Sequence, residues 1–188
     1  MNIANRIKFF SKPTENNFIL ENICLNGVDF VSTSGWTNRY NSSLSVLTGF
    51  LQATSGASSA GSALLYRTAN DWFINKKCYA MMKARVTNSD CTSLRFDLRS
   101  STTGTLALQI VENPVINQWY YFRVYAELTF DNIGDIIVIP EHLYVDSATA
   151  NGKVMQIEEV QIYDLTDTNG LGSEPDELWC DTNILFVK

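Results

Sequence analysis

The sequence has very little histidine: His142 is the only one in 188 residues. A zinc site built from several histidines is therefore excluded, and any Ser-His-Asp triad would depend on this one residue. The neighbours of His142 in PEHLYV are apolar and typical of a strand, which favours a structural role. GxSxG, HExxH and P-loop patterns are also missing. We therefore expect no catalytic residues and no metal centre built on histidine.

Charge is scarce as well, since charged residues make up 18% of the chain and sum to a net charge of −6. Proteins that coat nucleic acid need clustered Lys and Arg, so we expect no nucleic-acid partner. The chain lacks an apolar run of the roughly 18 residues that a membrane span needs, and its N-terminal stretch lacks the apolar core of a signal peptide. We expect synthesis in the cytoplasm and no membrane association.

Closely spaced cysteine pairs are missing too. The four cysteines are Cys24, Cys78, Cys91 and Cys180, and none forms the CxxC pair of a zinc site. Without a secretion signal, buried reduced thiols are favoured over disulfides.

Long helical periodicity is also missing, and apolar and polar residues instead alternate with a period of two. In SLRFDLRS, Leu94, Phe96 and Leu98 share one face of a predicted strand, and the polar side chains share the other. CYAMMKARV, TLALQIV and WYYFRVYAEL alternate in the same way, and turn-forming segments separate such runs. About eight to ten short strands predict an all-β jelly-roll β-sandwich. We assign residues 17–188 to this domain and residues 1–16, which are polar, to an N-terminal arm.

Two local features concern the strand after residue 152. The Asn151-Gly152 pair predicts a two-residue hairpin between LYVDS and VMQIEEVQIYDL. Within the second segment, the phase of the apolar residues changes near Glu158-Glu159. Either a β-bulge inserts one residue there, or the strand has apolar neighbours on both faces.

The acidic segment at 164–186, DLTDTNGLGSEPDELWCDTNILF, does not follow the EF-hand pattern, because the twelfth position counted from Asp167 is Leu178. Ser173 followed by Glu174 and Pro175 predicts instead the start of a short helix over 174–181. We expect Leu178 and Trp179 to pack onto the sandwich, so that this segment closes the fold.

The polar faces of three predicted strands form the candidate binding surface, provided that these strands share one sheet. Aromatic rings stack on sugars, and guanidinium groups hydrogen-bond hydroxyls or acidic substituents. The alternative is an ordinary solvated sheet face. Asp97 stands between two arginines that would keep it ionised, which makes it a poor general acid. The candidate ligand-binding residues are Tyr79, Arg85, Arg95, Arg99, Tyr121, Arg123 and Tyr125.

Two segments resemble known families. ILENICLNGVDFVSTSGW resembles the N-terminal signature of jelly-roll carbohydrate-binding modules through Asn26, Gly27 and Trp36, although Val31 stands where a carboxylate is usual. GKVMQIEEVQIYDLTDTNGLGSEPDELWCDTNILF resembles the closing segment of virion proteins of tailed bacteriophages that infect Gram-positive bacteria. Asn169 and Ser173 depart from that pattern, and the matching residues are Tyr163, Asp164, Leu165, Thr166, Gly170, Gly172, Glu174, Pro175, Trp179, Cys180 and Asp181.

The second resemblance implies a non-enzymatic structural protein of the virion, displayed on a tail, baseplate or capsid surface. Its expected partners are other virion proteins, sister copies in a homo-oligomer and a cell-surface glycan used in host attachment. The alternatives are a carbohydrate-binding module or receptor-binding protein proper, and a small glycan-cleaving enzyme. No cofactor is expected, although the first resemblance allows a structural calcium ion near Glu158 and Glu159.

Overall fold

The computed structural model describes residues 6–7, 18, 20–24, 27–28, 30–40, 42–68, 72–129 and 134–187. The predicted arm at 1–16 lies outside these ranges except for two residues that pair with β2. The elements in the described ranges are β1 (Arg6–Ile7), β2 (Leu20–Glu21), β3 (Trp36–Arg39), β4 (Ser43–Leu47), β5 (Phe50–Thr54), β6 (Gly61–Arg67), β7 (Lys77–Val86), β8 (Ser93–Ser100), β9 (Gly104–Glu112), β10 (Tyr120–Glu127), β11 (Ile136–Leu143), α1 (Ser147–Ala150), β12 (Val154–Asp164), α2 (Leu165–Asn169) and α3 (Glu177–Asn183).

Ten of these strands form two five-stranded antiparallel sheets. Sheet 1 has the order β10-β7-β12-β5-β4, and sheet 2 has the order β3-β6-β11-β8-β9. The chain passes from one sheet to the other at most of its connections from β5 onward, which is the connectivity of a jelly roll rather than of a meander. The predicted all-β jelly-roll β-sandwich is confirmed.

The main core lies between the sheets, where the apolar faces of both meet. Phe96 of sheet 2 and Phe122 of sheet 1 are fully buried, with ring centroids 6.4 Å apart. Burying a side chain of this size stabilises the fold by about 1.5–3 kcal/mol. Trp36 and Trp72 belong to the same core, so neither indole is presented to a ligand.

The segment around residue 151 differs from its prediction. β11 lies in sheet 2 and β12 in sheet 1, so Asn151-Gly152 ends a crossover that contains α1 and does not close a hairpin. Asn151 has φ −56°, and only Gly152 has the positive φ that a type I′ turn requires of both residues. The β-bulge is confirmed, because the register of β12 against β7 shifts between Ile157 and Glu159.

The C-terminal segment closes the fold over the outer face of sheet 1. A second buried cluster forms there from side chains of both sheet and segment, including Tyr79, Tyr163 and Ile184. The helix α3 begins later than predicted, because Asp176 caps it by accepting a hydrogen bond from the Trp179 N–H. Trp179 is half-buried against the cluster, whereas Leu178 is 76% exposed, so its predicted packing is wrong.

Buried charge fixes the start of this segment to sheet 1. The Lys76 ammonium is 2.7 Å from carboxylate oxygens of both Asp164 and Asp167, and the side chains of Lys76 and Asp164 are almost fully buried. Removing one partner of such a pair leaves an uncompensated buried charge, which typically costs about 3–5 kcal/mol. The acidic residues of the segment therefore serve its attachment.

The four cysteines are free and buried, as predicted. Among the described residues, no helix is long and apolar enough to cross a membrane.

Candidate functional site

The structure divides the seven predicted binding residues between the two sheets. Arg95 and Arg99 lie on β8 of sheet 2, and the other five lie on β7 and β10 of sheet 1. The single surface expected from their alternation does not exist, because the connection from β7 to β8 crosses between the sheets. Each sheet must therefore be considered by itself.

On sheet 1, three of the predicted residues hold the C-terminal segment. The Arg123 guanidinium donates to the Tyr79 hydroxyl at 2.8 Å and to the Ile184 carbonyl at 2.9 Å. The Tyr79 hydroxyl donates to Asp181 at 2.8 Å, and the Tyr125 hydroxyl donates to the Pro175 carbonyl at 3.4 Å. Burial raises the pKa of Tyr79 and Tyr125. These contacts place all three side chains beneath or against the segment rather than in solvent.

The other two predicted residues of sheet 1 lie beyond the covered area. Tyr121 is 52% exposed and contacts the Phe186 ring edge-on. Arg85 donates twice to the Gln156 side-chain oxygen, at 3.0 and 2.8 Å, and lies 4.4 Å from the Trp119 ring. Trp119 stacks on Phe50 at 5.7 Å. This end of the sheet is a small aromatic patch in which the Arg85 guanidinium is paired with Gln156.

Sheet 2 carries a groove on its outer face, formed by two cavities of about 480 and 300 Å³ that share Arg39 and Arg99 in their linings. Both volumes are in the range of small-molecule sites. The lining residues that bear on its chemistry are Arg39, Tyr40, Leu65, Arg67, Arg95, Asp97, Arg99, Thr105, Leu108, Ile137, Ile139 and Glu141.

The floor of the smaller cavity is apolar. Ile137 and Ile139 of β11 form a buried cluster with Ala63, against which Leu65 packs. In the larger cavity, Leu108 is 45% exposed and Tyr40 is similarly open. The groove therefore offers both apolar surface and charged groups, the combination that fixes the orientation of a bound ligand.

Two carboxylates of the groove carry unusual electrostatics. Burial raises the pKa of Asp97, an effect that outweighs the opposing influence of Arg99, Thr105, Arg39 and Arg95. Burial, rather than the flanking arginines, therefore sets the direction of the shift in the pKa of Asp97. Burial likewise raises the pKa of Glu141. The Oδ1 atom of Asp97 is buried and has no hydrogen-bond partner among the described residues.

Arg39, Tyr40 and Glu141 were not identified from the sequence. Arg39 ends the short strand β3 and Tyr40 follows it, and the four residues of this strand are too few for an alternation pattern. Glu141 was recognisable in principle, because Ile137, Ile139 and Glu141 alternate along β11 with residues that point into the core. The apolar run IIVIP obscured that phase.

The sites considered for metals are occupied by protein contacts. His142 is buried, and its ring nitrogens lie within hydrogen-bonding distance of Ser55, Ser62 and Tyr144. Glu159 accepts from the Val187 N–H, and Glu158 pairs with Lys83. Asp29, beside Phe30, lies outside the described residues, and within the described part no group of three or more His, Cys, Asp or Glu side chains is arranged to hold a metal. Glu158 and Glu159 thus do not fit a calcium site.

Comparison with known proteins gives structural matches alone. The sequence matches no family model and no curated protein. The tandem CBM22-1–CBM22-2 domain of Paenibacillus barcinonensis Xyn10C matches with a TM-score of 0.54 and 14% identity over 73% of this chain and 49% of that one. A xylan-binding domain from CBM 22 matches with a TM-score of 0.53 and 15% identity over 73% and 92% of the two chains.

A bacteriophage structure also matches. The enzymatically active domain of tailspike protein 4 of bacteriophage CBA120 gives a TM-score of 0.50 and 13% identity over 75% of this chain. This chain spans only 21% of that structure, and about half of the tandem domain. At such identities the likenesses establish the fold: this chain is a jelly roll of the kind seen in carbohydrate-binding modules of CBM families 4 and 22.

Proposed function

We propose that this chain is a non-catalytic glycan-binding module whose ligand lies in the groove of sheet 2. The observation that carries the proposal is the groove itself, whose two cavities share Arg39 and Arg99 across the outer face of a jelly-roll sheet. The similarity of the fold to a domain described as xylan-binding supports it. The mixture of charged, aromatic and apolar side chains along the groove suits sugar rings better than an entirely apolar ligand.

The side chains of the groove match the two kinds of surface on a sugar. The apolar face of a pyranose packs on exposed apolar and aromatic groups, which Leu108 and Tyr40 supply. Sugar hydroxyls donate to carboxylates and accept from guanidinium groups. Asp97 lines the larger cavity with a partly exposed side chain, so its carboxylate can accept a hydrogen bond from a ligand hydroxyl.

The positions of Asp97 and Glu141 favour binding over hydrolysis. A glycosidase places its two carboxyl groups on either side of the scissile bond. Asp97 and Glu141 stand on neighbouring strands of one sheet, β8 and β11, and therefore approach a ligand from the same side. Each also lies near a guanidinium, 3.5 Å for Arg99–Asp97 and 3.8 Å for Arg95–Glu141. No release of reducing sugar from bound polysaccharides is expected.

The test is isothermal titration calorimetry with soluble polysaccharides and two matched variants. Tyr40→Asn removes an aromatic ring from the groove, and asparagine tolerates the positive φ of 59° at this position. Tyr121→Ala removes an exposed ring from the opposite sheet. We expect the first change to weaken binding about tenfold and the second to leave it unchanged. The reverse result would place the ligand on sheet 1, and a wild-type protein that binds no glycan would contradict the proposal.

The C-terminal segment supports a second proposal, that this module is carried on the virion of a tailed bacteriophage in many copies and contributes to host attachment. Its support is the resemblance of residues 152–186 to the closing segment of such virion proteins. Weak binding at single sites would then be strengthened by avidity between copies. Immunogold labelling of purified particles with an antibody against this chain tests it, and unlabelled particles that contain no peptide of the chain would refute it.

A further inference from the structure

Arg39 occupies a special position in the groove. It is the last residue of β3 and lines both cavities, so its half-buried side chain lies where they meet. Its guanidinium carbon is 5.1 Å from the centre of the Tyr40 ring. Its guanidinium makes no hydrogen bond or ion pair among the described residues, although the Arg39 carbonyl accepts a hydrogen bond from the Ser42 hydroxyl. Ring contact alone leaves all five N–H donors of a guanidinium available.

The groove as a whole is positively charged although the chain is acidic. Its two cavities are lined by four arginines, Arg39, Arg67, Arg95 and Arg99, and by two carboxylates, Asp97 and Glu141. Asp135 pairs with Arg67 at 3.1 Å, so with all seven groups ionised the local charge is 4 − 3 = +1, whereas the chain carries −6. A concave surface of one sign raises the local concentration of ligands of the opposite sign.

The ion pairs inside the groove leave the arginines free to contact a ligand. Arg95–Glu141 and Arg99–Asp97 are separated by 3.8 and 3.5 Å, and the two arginines are about one third exposed. Pairs of this kind contribute little to stability. Each guanidinium has five N–H donors, so each keeps further donors for a ligand.

An anionic group on the ligand would complete this arrangement. Guanidinium groups bind carboxylates and sulfates through two parallel charge-assisted hydrogen bonds. A neutral sugar would leave the Arg39 guanidinium without an ion-pair partner, whereas an acidic substituent would supply one; the other three arginines of the groove each pair with a carboxylate. The apolar floor beside Arg39, formed by Ile137 and Ile139, strengthens that interaction by limiting access of water.

We propose that the glycan bound in the groove is anionic, carrying a carboxylate or a sulfate, and that the Arg39 guanidinium contacts that group. This inference rests on the proposed function of the groove as a glycan-binding site. It adds the class of ligand and the residue that selects it.

The experiment compares pairs of polysaccharides that share a backbone and differ in charge. Polygalacturonate is paired with its fully methyl-esterified form, and dextran sulfate with dextran. Titration calorimetry with the full chain at about 0.15 M salt suppresses long-range attraction between exposed charges, because the Debye length is then about 8 Å. We expect the wild-type protein to bind one charged polymer at least tenfold more tightly than its neutral counterpart. The pair that shows this preference identifies the carboxylate or the sulfate as the bound group.

Two variants that lose the same charge separate a local contact from general attraction. Arg39→Gln removes the groove cation, and Lys153→Gln removes a cation that pairs with Asp90 outside the groove. We expect the preference for the charged polymer to fall to within about twofold in Arg39→Gln and to persist in Lys153→Gln. Equal loss in both variants, or persistence in both, would overturn the role of Arg39.

The outcomes for the two proposals are distinguishable. If the wild-type protein binds charged and neutral members of each pair equally well, the inference of an anionic ligand is wrong while glycan binding stands. If it binds no polysaccharide of either charge, both proposals fail. Circular dichroism and melting temperatures of the variants, which should match those of the wild type, show that a loss of binding does not arise from unfolding.

Discussion

At the scale of the residue, His142 shows how burial decides the charge of a side chain. Its Nε2 lies 2.5 Å from the Ser62 hydroxyl and 3.1 Å from that of Ser55, and its Nδ1 lies 3.3 Å from the Tyr144 hydroxyl. Burial lowers the pKa of the imidazole to about 3. The ring is therefore neutral in the folded protein at physiological pH, where its hydroxyl neighbours can satisfy it.

This lowered pKa predicts a loss of stability in acid. The unfolded chain binds a proton at His142 near pH 6.5, whereas the folded chain does not. The contribution of the neutral imidazole to the free energy of unfolding is therefore complete above about pH 6.5 and declines toward pH 3. The decline approaches about 1.4 kcal/mol per pH unit. The melting temperature should therefore differ less between pH 7 and pH 5 in His142→Gln than in the wild type. Equal differences in both proteins would mean that the buried imidazole does not determine how stability changes between pH 7 and pH 5.

Glu141 gives a second pH prediction, in which acid strengthens the binding of an anionic ligand rather than weakening the fold. Its carboxylate faces Arg95, Arg39, Asp97 and Arg99, and burial raises its pKa. As the pH falls toward this raised pKa, Glu141 loses its charge and the groove becomes more positive. A sulfate ester stays ionised throughout, so affinity for dextran sulfate should rise as the pH falls from 7 toward the range in which carboxyl groups titrate. Glu141→Gln should bind more tightly at pH 7 and show a flatter profile; an unchanged profile would exclude this role.

At the scale of the element, the C-terminal segment depends on one clamp. Arg123 of β10 joins the Tyr79 hydroxyl to the carbonyl oxygens of Asp181 and Ile184. Side chains predicted to contact a ligand therefore hold the protein's own last residues. The alternation along β10 correctly indicated the face on which Arg123 lies, but it could not indicate that α3 and the residues after it would cover that face.

Arg123→Ala should loosen this segment. It removes three hydrogen bonds and leaves the partly buried Ile184 carbonyl without this donor, and a buried group left unsatisfied costs about 1–3 kcal/mol. Hydrogen exchange of residues 181–187 should accelerate, while ligand binding in the groove should be unaffected. Arg85→Ala is the matched control, because Arg85 lies on the same face and contacts Gln156 rather than the segment. Similar exchange in both variants would argue against the clamp.

The sequence predicted the core-facing side chains of some strands correctly and those of others incorrectly. β8 follows its alternation, with Leu94, Phe96 and Leu98 in the core. In β9 the same pattern predicted a shared face for Leu106, Leu108 and Ile110, but a register shift after Leu98 turns Leu108 and Ile110 outward and leaves Leu106 against the core. Alternation specifies the two faces of a strand, whereas register and partner strands depend on contacts distant in sequence.

At the scale of the whole molecule, the dependence of strand order on distant contacts explains why the fold could be predicted from the sequence and the candidate site could not. The jelly roll was predictable because it needs only short alternating strands and turns. The groove was not, because Arg39, Arg95 and Glu141 come from three strands, β3, β8 and β11, that meet only once the strand order of sheet 2 is known. Two of its arginines, Arg95 and Arg99, were nevertheless identified by their polar face.

The fold should also be insensitive to redox conditions. All four cysteines are free and buried, and burial raises the pKa of their thiols, which disfavours the reactive thiolate. Adding reductant should leave the melting temperature unchanged. A fall of several degrees would reveal a disulfide, because removing one typically costs about 2–5 kcal/mol.

The covered face of sheet 1 and the groove of sheet 2 point in opposite directions, since they are the two outer surfaces of one sandwich. Residues 184–187 lie on the covered side, where the Val187 N–H is held by Glu159. A biotin attached just beyond this point would anchor the protein to a sensor chip with every groove facing the flowing solution. Coupling through Tyr40 or its neighbours would instead bury the groove against the support. The architecture thus dictates the orientation in which this protein can be immobilised without losing its binding surface.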